Sequence, residues 1–296
     1  MNKFSIKDIE TITGIKCHTI RVWEQRYNFL QTKRTDTNIR YYNDDDLRLL
    51  LNVSTLNDNG YKISEIANMS SDEMSEKIHS ITQQENNFSC HIQALSNYAI
   101  SFNEVEFKKT LSSSIKKIGV EQTVLQVIYP FLQSIGIMWQ TGSMNPAQEH
   151  FASSLIKQKL TVAIDNLKVP TVPNQQKFLL FLPEGEFHEI ALLFGSYLIK
   201  SHGHEVLYLG QSLSINYVKD VLKAYQPDYI FSIMTNSMAN EDAESVVQLF
   251  SSSFPNNKVI IAGGCIHEQH IKSHENISLL KGIPDLLSFL NEINFN

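Results

Sequence analysis

The sequence predicts a multidomain chain: an α-helical winged helix-turn-helix over 1–72, a four-helix bundle over 88–170, and an α/β unit with a flavodoxin-like parallel sheet over 175–296. Three observations predict it. Two short helical patterns split by a glycine, followed by a basic, turn-rich stretch closed by tyrosines, mark the first part. A long helical pattern with few glycines marks the second. Strand and helix patterns alternating at even spacing mark the third. At 296 residues there is room for two or three domains.

Ser5-Ile6-Lys7-Asp8 reads as a helix start, with Ser5 as the cap and Asp8 in the first turn. Ile6, Ile9 and Ile12 stand at helical spacing, and Gly14 ends the run. A second helix, from about Cys17 to Tyr27, turns Ile20 and Trp23 inward and carries Arg21 and Arg26 on another face. The second helix of such a pair lies in the major groove of DNA. Arg34 to Tyr42 has basic ends and turn formers between them, the pattern of a β wing whose arginines and tyrosine reach phosphates beside the groove. Helices resume at Asn43-Asp44 and again from Ser64 to about Met69.

Charge follows the same division. The chain is acidic, at −6 overall, but residues 1–70 hold 10 Lys+Arg against 9 Asp+Glu, leaving 15 against 22 elsewhere. Within 16–40, Lys16, Arg21, Arg26, Lys33, Arg34 and Arg40 face only Glu24 and Asp36. Such clustering marks a DNA-binding face even on an acidic chain.

After residue 70 no sustained heptad appears, so a coiled-coil dimer is not supported. Ser70-Ser71-Asp72-Glu73 is polar, and 83–87 reads as a linker. Four bundle helices follow, around Ile92 to Ala99, Val105 to Ile118, Val120 to Met138 with an interruption at Pro130, and from Pro146 through Leu160. Trp139 at one helix end and Glu149-His150 at the next helix start can converge on one surface. Read singly, Trp139 is bundle core and Glu149 an ordinary charge near a helix amino terminus.

In the last part, strands are expected near 178–182, 205–209, 228–233, 258–262 and 276–280, with helices near 189–202, 215–224, 241–252, 266–272 and 284–293. Glu186-Phe187-His188 follows the first strand, at the sheet edge where α/β folds bind ligands. The carboxylate can hold one ring nitrogen and fix the tautomer for a metal on the other. Ser232-Ile233-Met234 and Gly263-Gly264 close later strands, offering a polar contact and open space for a long ligand tail. Read alone, His188 is a solvated loop histidine, as are His202, His204, His267, His270 and His274. No GxGxxG or P-loop pattern argues for a nucleotide site.

Cys17, Cys90 and Cys265 form no CxxC pair, which supports neither a zinc knuckle nor a disulfide framework. No apolar run approaches the roughly 20 residues of a membrane helix. The start, Met1-Asn2-Lys3-Phe4-Ser5, lacks a signal peptide's apolar core, and a cytoplasmic location is expected.

Two resemblances sharpen this reading. Thr19 to Tyr27, then Arg34-Thr35 and Arg40-Tyr41-Tyr42, resemble the MerR family's winged helix, with Asn38 where that family commonly has Gly. Its DNA contacts would then include Lys16, Thr19, Arg21, Arg26, Arg34, Arg40 and Tyr42. Glu186-x-His188, Ser232-x-Met234 and Gly263-Gly264 resemble the cobalamin-binding domain's Asp-x-His-x-x-Gly, Ser-x-Leu and Gly-Gly, with Ala191 at the first glycine. That family buries the dimethylbenzimidazole tail in the sheet and ligates cobalt through the loop histidine, here His188.

Trp139, nine residues and Glu149-His150 resemble the helical cap of cobalamin-dependent MerR photoreceptors of the CarH type, where these residues cover the upper face of cobalt. Gln140 stands where those photoreceptors have a histidine that captures cobalt after light. The resemblance implies a repressor on a double-stranded DNA operator, controlled by adenosylcobalamin and light, assembling as a dimer or tetramer. An alternative keeps the fold but reads a protein or another ligand without cofactor. A corrinoid enzyme is disfavoured, because the winged helix has no place in one.

Overall fold

The computed structural model describes residues 3–27, 30, 33–34, 40–82, 88–140, 144–234, 243–264 and 274–295, without the side chains at 79, 82, 137, 139, 140 and 295. These fall into two compact units, Met1–Ile156 and Lys157–Asn296. The finer division at 1–72, 88–170 and 175–296 stays a proposal.

The first unit opens with α1 (Ile6–Thr13), started by a reciprocal capping box between Ser5 and Asp8. Gly14 ends it with φ 75°, a left-handed conformation that glycine adopts without steric cost. In α2 (Cys17–Tyr27), Ile20 and Trp23 are buried as the periodicity requires. Glu10 ties the two helices together: its carboxylate accepts from the Cys17 N–H at 2.9 Å and from Lys16 Nζ at 3.0 Å. Hydrogen bonds from Cys17, then Lys16, hold the Glu10 carboxyl down at about 2.

Strands β1 (Lys33–Arg34) and β2 (Arg40–Tyr41) pair antiparallel as a short wing. Residues 35–39, and with them Asn38, lie outside the described residues. The amino terminus extends the wing through a bridge between Phe4 and Tyr42, both buried. A second capping box, Asn43 with Asp46, starts α3 (Asp44–Asp58). The helix α4 (Ile63–Ile66) is shorter than expected and lacks a side-chain cap.

The next helix, α5 (Ser71–Thr82), corrects the reading of a merely polar stretch. Ser70 and Glu73 cap it reciprocally, at 3.2 and 2.7 Å. Its Met74, Ile78 and Ile81 pack with Trp23, Val53 and Leu56, so it completes the winged-helix core.

The bundle comprises α6 (Phe88–Ile100), α7 (Glu104–Thr123), α8 (Tyr129–Gln140) and α9 (Pro146–Asp165). A break at Gly119 (φ 79°, ψ 170°) separates the second expected helix from the third, and the interruption within the third lies just upstream of Pro130. A π-helical turn, Val124–Ile128, then leads into α8. There the Tyr129 N–H donates to Val124 O, five residues back. This wider turn takes up Pro130, which has no N–H to give the preceding turn. Phe107 packs edge-on against Phe131 and Phe151.

The second unit holds a parallel sheet of β3 (Lys177–Pro183), β4 (Glu205–Leu213), β5 (Tyr229–Ile233), β6 (Lys258–Ala262) and β7 (Ile277–Leu280). Their order, β4-β3-β5-β6-β7, is the flavodoxin-like order expected. Four described helices accompany them: α10 (Glu189–Ser201), α11 (Ile215–Tyr225), α12 (Ala243–Ser253) and α13 (Ile283–Phe295). Residues 265–273, with the helix expected near 266–272, His267 and His270, lie outside the described residues.

Leu179, Phe181, Ile230, Val259 and Ile261 pack against Val218 of α11 and Val246, Val247 and Phe250 of α12. On the other face Gly195 of α10 sits over Phe231, where a Cβ would lie 2.8 Å from the ring. Burial on both faces is why β3 is almost continuously apolar.

Three described histidines expected in solvent, His202, His204 and His274, are at least half-buried. His204 is buried beside Phe178, and burial lowers its pKa. His202 is half-buried, its Nδ1 2.8 Å from Leu198 O.

Candidate functional site

Strand β3 delivers the chain to the carboxyl edge of the sheet at Pro183. Gly185 (φ 86°) turns it, and the Glu186 N–H donates back to Pro183 O at 3.0 Å. Strand β4 clamps this loop. Its register against β3 slips at Phe181 and Pro183, and Ser212 takes φ 52°. The Ser212 N–H donates to Glu186 O, and Ser212 Oγ accepts the Gly185 N–H, both at 3.2 Å. Nothing in the sequence singled out Ser212, because a bulge is a property of the strand pair.

The Glu186 side chain is only 4% exposed. One oxygen, Oε1, accepts from the His188 N–H at 2.9 Å and from His188 Nδ1 at 2.5 Å. A carboxylate only accepts, so Nδ1 carries the proton and Nε2 is the nitrogen suited to a metal. The imidazole side chain is 54% exposed, at the start of α10. Beside it, Glu189 accepts from Tyr208 Oη at 3.3 Å and pairs with Lys157 Nζ at 3.5 Å. Burial, then Glu189, raises the Tyr208 pKa and keeps it a donor.

The other motif residues are used differently from the expectation. Ser232 is fully buried and donates its hydroxyl to Phe181 O at 2.8 Å, a bond within the sheet. Met234 is buried in the core and donates its N–H to Ala262 O. At Gly263 a Cβ would meet Met234 O at 2.0 Å. At Gly263 (φ 134°) the missing side chain admits the Met234 backbone. Gly264 is exposed. Ala191 lies in the first turn of α10, its N–H on His188 O at 3.3 Å.

In the first unit, Asn145 and Gln148 start α9, with Pro146 at its first position. Gln148 is buried and anchors the turn to Ile100 O at 2.9 Å. Glu149 and His150 follow on the first turn, with His150 Nδ1 3.4 Å from Glu149 Oε2. Trp139 and Gln140 belong to the backbone of α8, but their side chains lie outside the described residues.

On the winged helix, Lys16 just before α2 and Arg21 and Arg26 along it are exposed, and Arg34 is exposed on the wing. Thr19 is half-buried on the same helix, and Arg40 is half-buried on β2. The exposed His18, Val22 and Gln25 share this surface and were not singled out from sequence, although their helical spacing was visible. Tyr42 corrects the expectation of a phosphate contact. It is buried, and its hydroxyl donates to Glu24 at 2.5 Å, joining the wing to α2. Burial, then Glu24, pushes its pKa up. Among the described residues no helix is long and apolar enough to cross a membrane.

Two family models match within residues 4–164, and two relatives match along most of the chain. Residues 4–73 match the MerR HTH family regulatory protein family, and residues 91–164 match the B12 binding domain family. The chain is 24% identical over 273 residues to the HTH-type transcriptional repressor CarH of Myxococcus xanthus, covering 88% of each. It is 27% identical over 274 residues to the HTH-type transcriptional repressor CarA of the same organism, covering 90% of this chain and 88% of that one. Among solved structures, the Methanosarcina barkeri monomethylamine corrinoid protein superposes with a TM-score of 0.51 at 11% identity. That match covers 67% of this chain and 96% of the other, and it speaks to fold alone.

Proposed function

We propose, from the premise that this chain joins a MerR HTH domain to a B12 binding domain, that it is a DNA-binding transcriptional repressor controlled by adenosylcobalamin and by light. The observation that carries the cofactor reading is the Glu186–His188 pair at the carboxyl edge of the sheet. An imidazole oriented in this way could serve as a protein ligand to the cofactor's cobalt. His188 Nε2 would be that ligand, and Glu186 would hold the ring and raise its basicity. Bound adenosylcobalamin would supply a light-cleavable cobalt–carbon bond.

In the first unit, Trp139, Glu149 and His150 are the proposed cofactor contacts. Arg21, Arg26, Arg34 and Arg40, with Lys16 and Thr19, are the proposed contacts to operator DNA. Assembly of copies on adjacent half-sites would add their affinities through effective concentration. We assign the chain no catalytic step and a cytoplasmic location, in keeping with relatives named as transcriptional repressors.

The test is purification of the full chain with adenosylcobalamin in darkness, followed by gel filtration, absorbance and illumination. A retained corrinoid spectrum that changes with light is expected. Replacing Arg21 by Ala should weaken DNA binding and lower the salt slope by about 0.9; an unchanged slope removes Arg21 from the interface.

A second reading, a regulator that kept the fold without the cofactor, is favoured by one observation. The protein's own Met234 carbonyl stands where a side chain on Gly263 would start. Loss of the spectrum on gel filtration would select it.

A further inference from the structure

A cleft of about 550 Å³ lies in the first unit, walled by α3, α5 and α6. None of the proposed DNA or cofactor contacts lines it. The volume falls within the roughly 300–1,000 Å³ of small-molecule sites. Leu49, Met69, Met74, Ile78 and Ala94 make an apolar wall. Met74 and Ile78 also pack with Trp23, so the floor of the cleft is the winged-helix core itself.

The polar side of the cleft holds an unsatisfied group. Asn97 of α6 is 9% exposed and donates Nδ2 to Asn52 Oδ1 of α3 at 2.6 Å. Its own Oδ1 is buried with no hydrogen-bond partner. An unpaired amide oxygen in a buried position carries a desolvation cost that an arriving donor removes. Tyr98 stands one residue on, and burial, followed by the charges of Glu106 and Cys90, raises its pKa and keeps the hydroxyl protonated. The charged pair in the lining, Asp45 and Arg48, is already joined in a salt bridge, so the lining carries no net charge to draw an ion.

We propose that this cleft is a recognition site for a small neutral organic molecule that carries an amide. The amide N–H would meet Asn97 Oδ1, its carbonyl would accept from the Tyr98 hydroxyl or Asn52 Nδ2, and its apolar body would lie on Met69, Met74 and Ile78. Because α3 buttresses the helix-turn-helix through the Ser54 Oγ bond to Thr13 O, an occupant would bear on the DNA-binding helices directly. The site shares no residue with the His188 loop and does not rest on the corrin reading.

The test uses the full chain labelled at its methionine methyl groups, with benzamide as the probe and benzoate and ethylbenzene as controls. Benzamide should shift the Met69 and Met74 resonances saturably below about 10 mM, with both controls about tenfold weaker or more. Asn97→Leu should weaken benzamide about tenfold and leave ethylbenzene unchanged. Ser75 is exposed on α5 at the cleft's edge, so Ser75→Trp should block the shifts without touching the core. Equal binding of benzamide and ethylbenzene, unchanged benzamide binding in either variant, or no saturable shift at these methionines would overturn the proposal.

Discussion

Glu186–His188 and Glu149–His150 pair the same two residue types, yet the protein holds them differently. In the first pair the carboxylate is 4% exposed, takes two donors on one oxygen and lies 2.5 Å from the ring nitrogen. In the second the side chains are 36% and 79% exposed and 3.4 Å apart. Local geometry explains the contrast. Adjacent residues on a helix point about 100° apart, so Glu149 and His150 diverge from one backbone. Residues 186 and 188 sit on a loop that folds back on itself and is clamped by Ser212 from β4. A matching residue pair does not set rigidity; its anchoring does. The first pair is oriented before any ligand arrives, whereas the second is not.

The largest expected effect breaks the comparison at its rigid end. His188→Ala should reduce corrin retention by more than roughly a hundredfold, beyond the 10–100-fold typical of residues that only orient a ligand. Retention at wild-type level on equilibrium dialysis would show that the loop holds no cobalt. Next, Glu186→Ala should weaken retention about 10–100-fold while a lower-ligand signature persists in the absorbance spectrum. An effect as large as that of His188→Ala would mean that Glu186 supports the loop fold rather than the ring.

The winged helix carries its own version of a pre-set residue. Tyr42→Phe should destabilise the unit by about 1.5–3 kcal/mol, because Glu24 loses a charge-assisted partner, and should leave the salt dependence of DNA binding unchanged. A lowered salt slope would return Tyr42 to the phosphate interface. The smallest effect belongs to the loose pair. Glu149→Gln should change adenosylcobalamin affinity by less than about fivefold, the range of an exposed ion pair. A loss rivalling that of Glu186→Ala would show that the second pair is ordered in the bound state.

Local chemistry was easily read from the sequence. The helix starts at Ser5 and Asn43, the stop at Gly14, the buried Trp23 and the five-strand alternation all depend on residues close in the chain. Helix α5 was legible too, through Ser70-x-x-Glu73, but its polar start masked the Met74, Ile78 and Ile81 stripe. Tyr42 was misread because its burial depends on Phe4, 38 residues earlier, and on Glu24 across the helix-turn-helix.

By itself the sequence determined the kind of elements, their order and the chemical identity of the candidate ligand, since periodicity, caps and the acid-x-His spacing act within a few residues. Tertiary structure alone decided which of those residues are committed. Ser212 locks the loop, Ser232 spends its hydroxyl on Phe181, and Gly263 yields its space to Met234, each through backbone brought from a distant strand. The physical reason is that hydrogen bonds and close packing between strands depend on register and bulges, which arise only once the sheet is assembled.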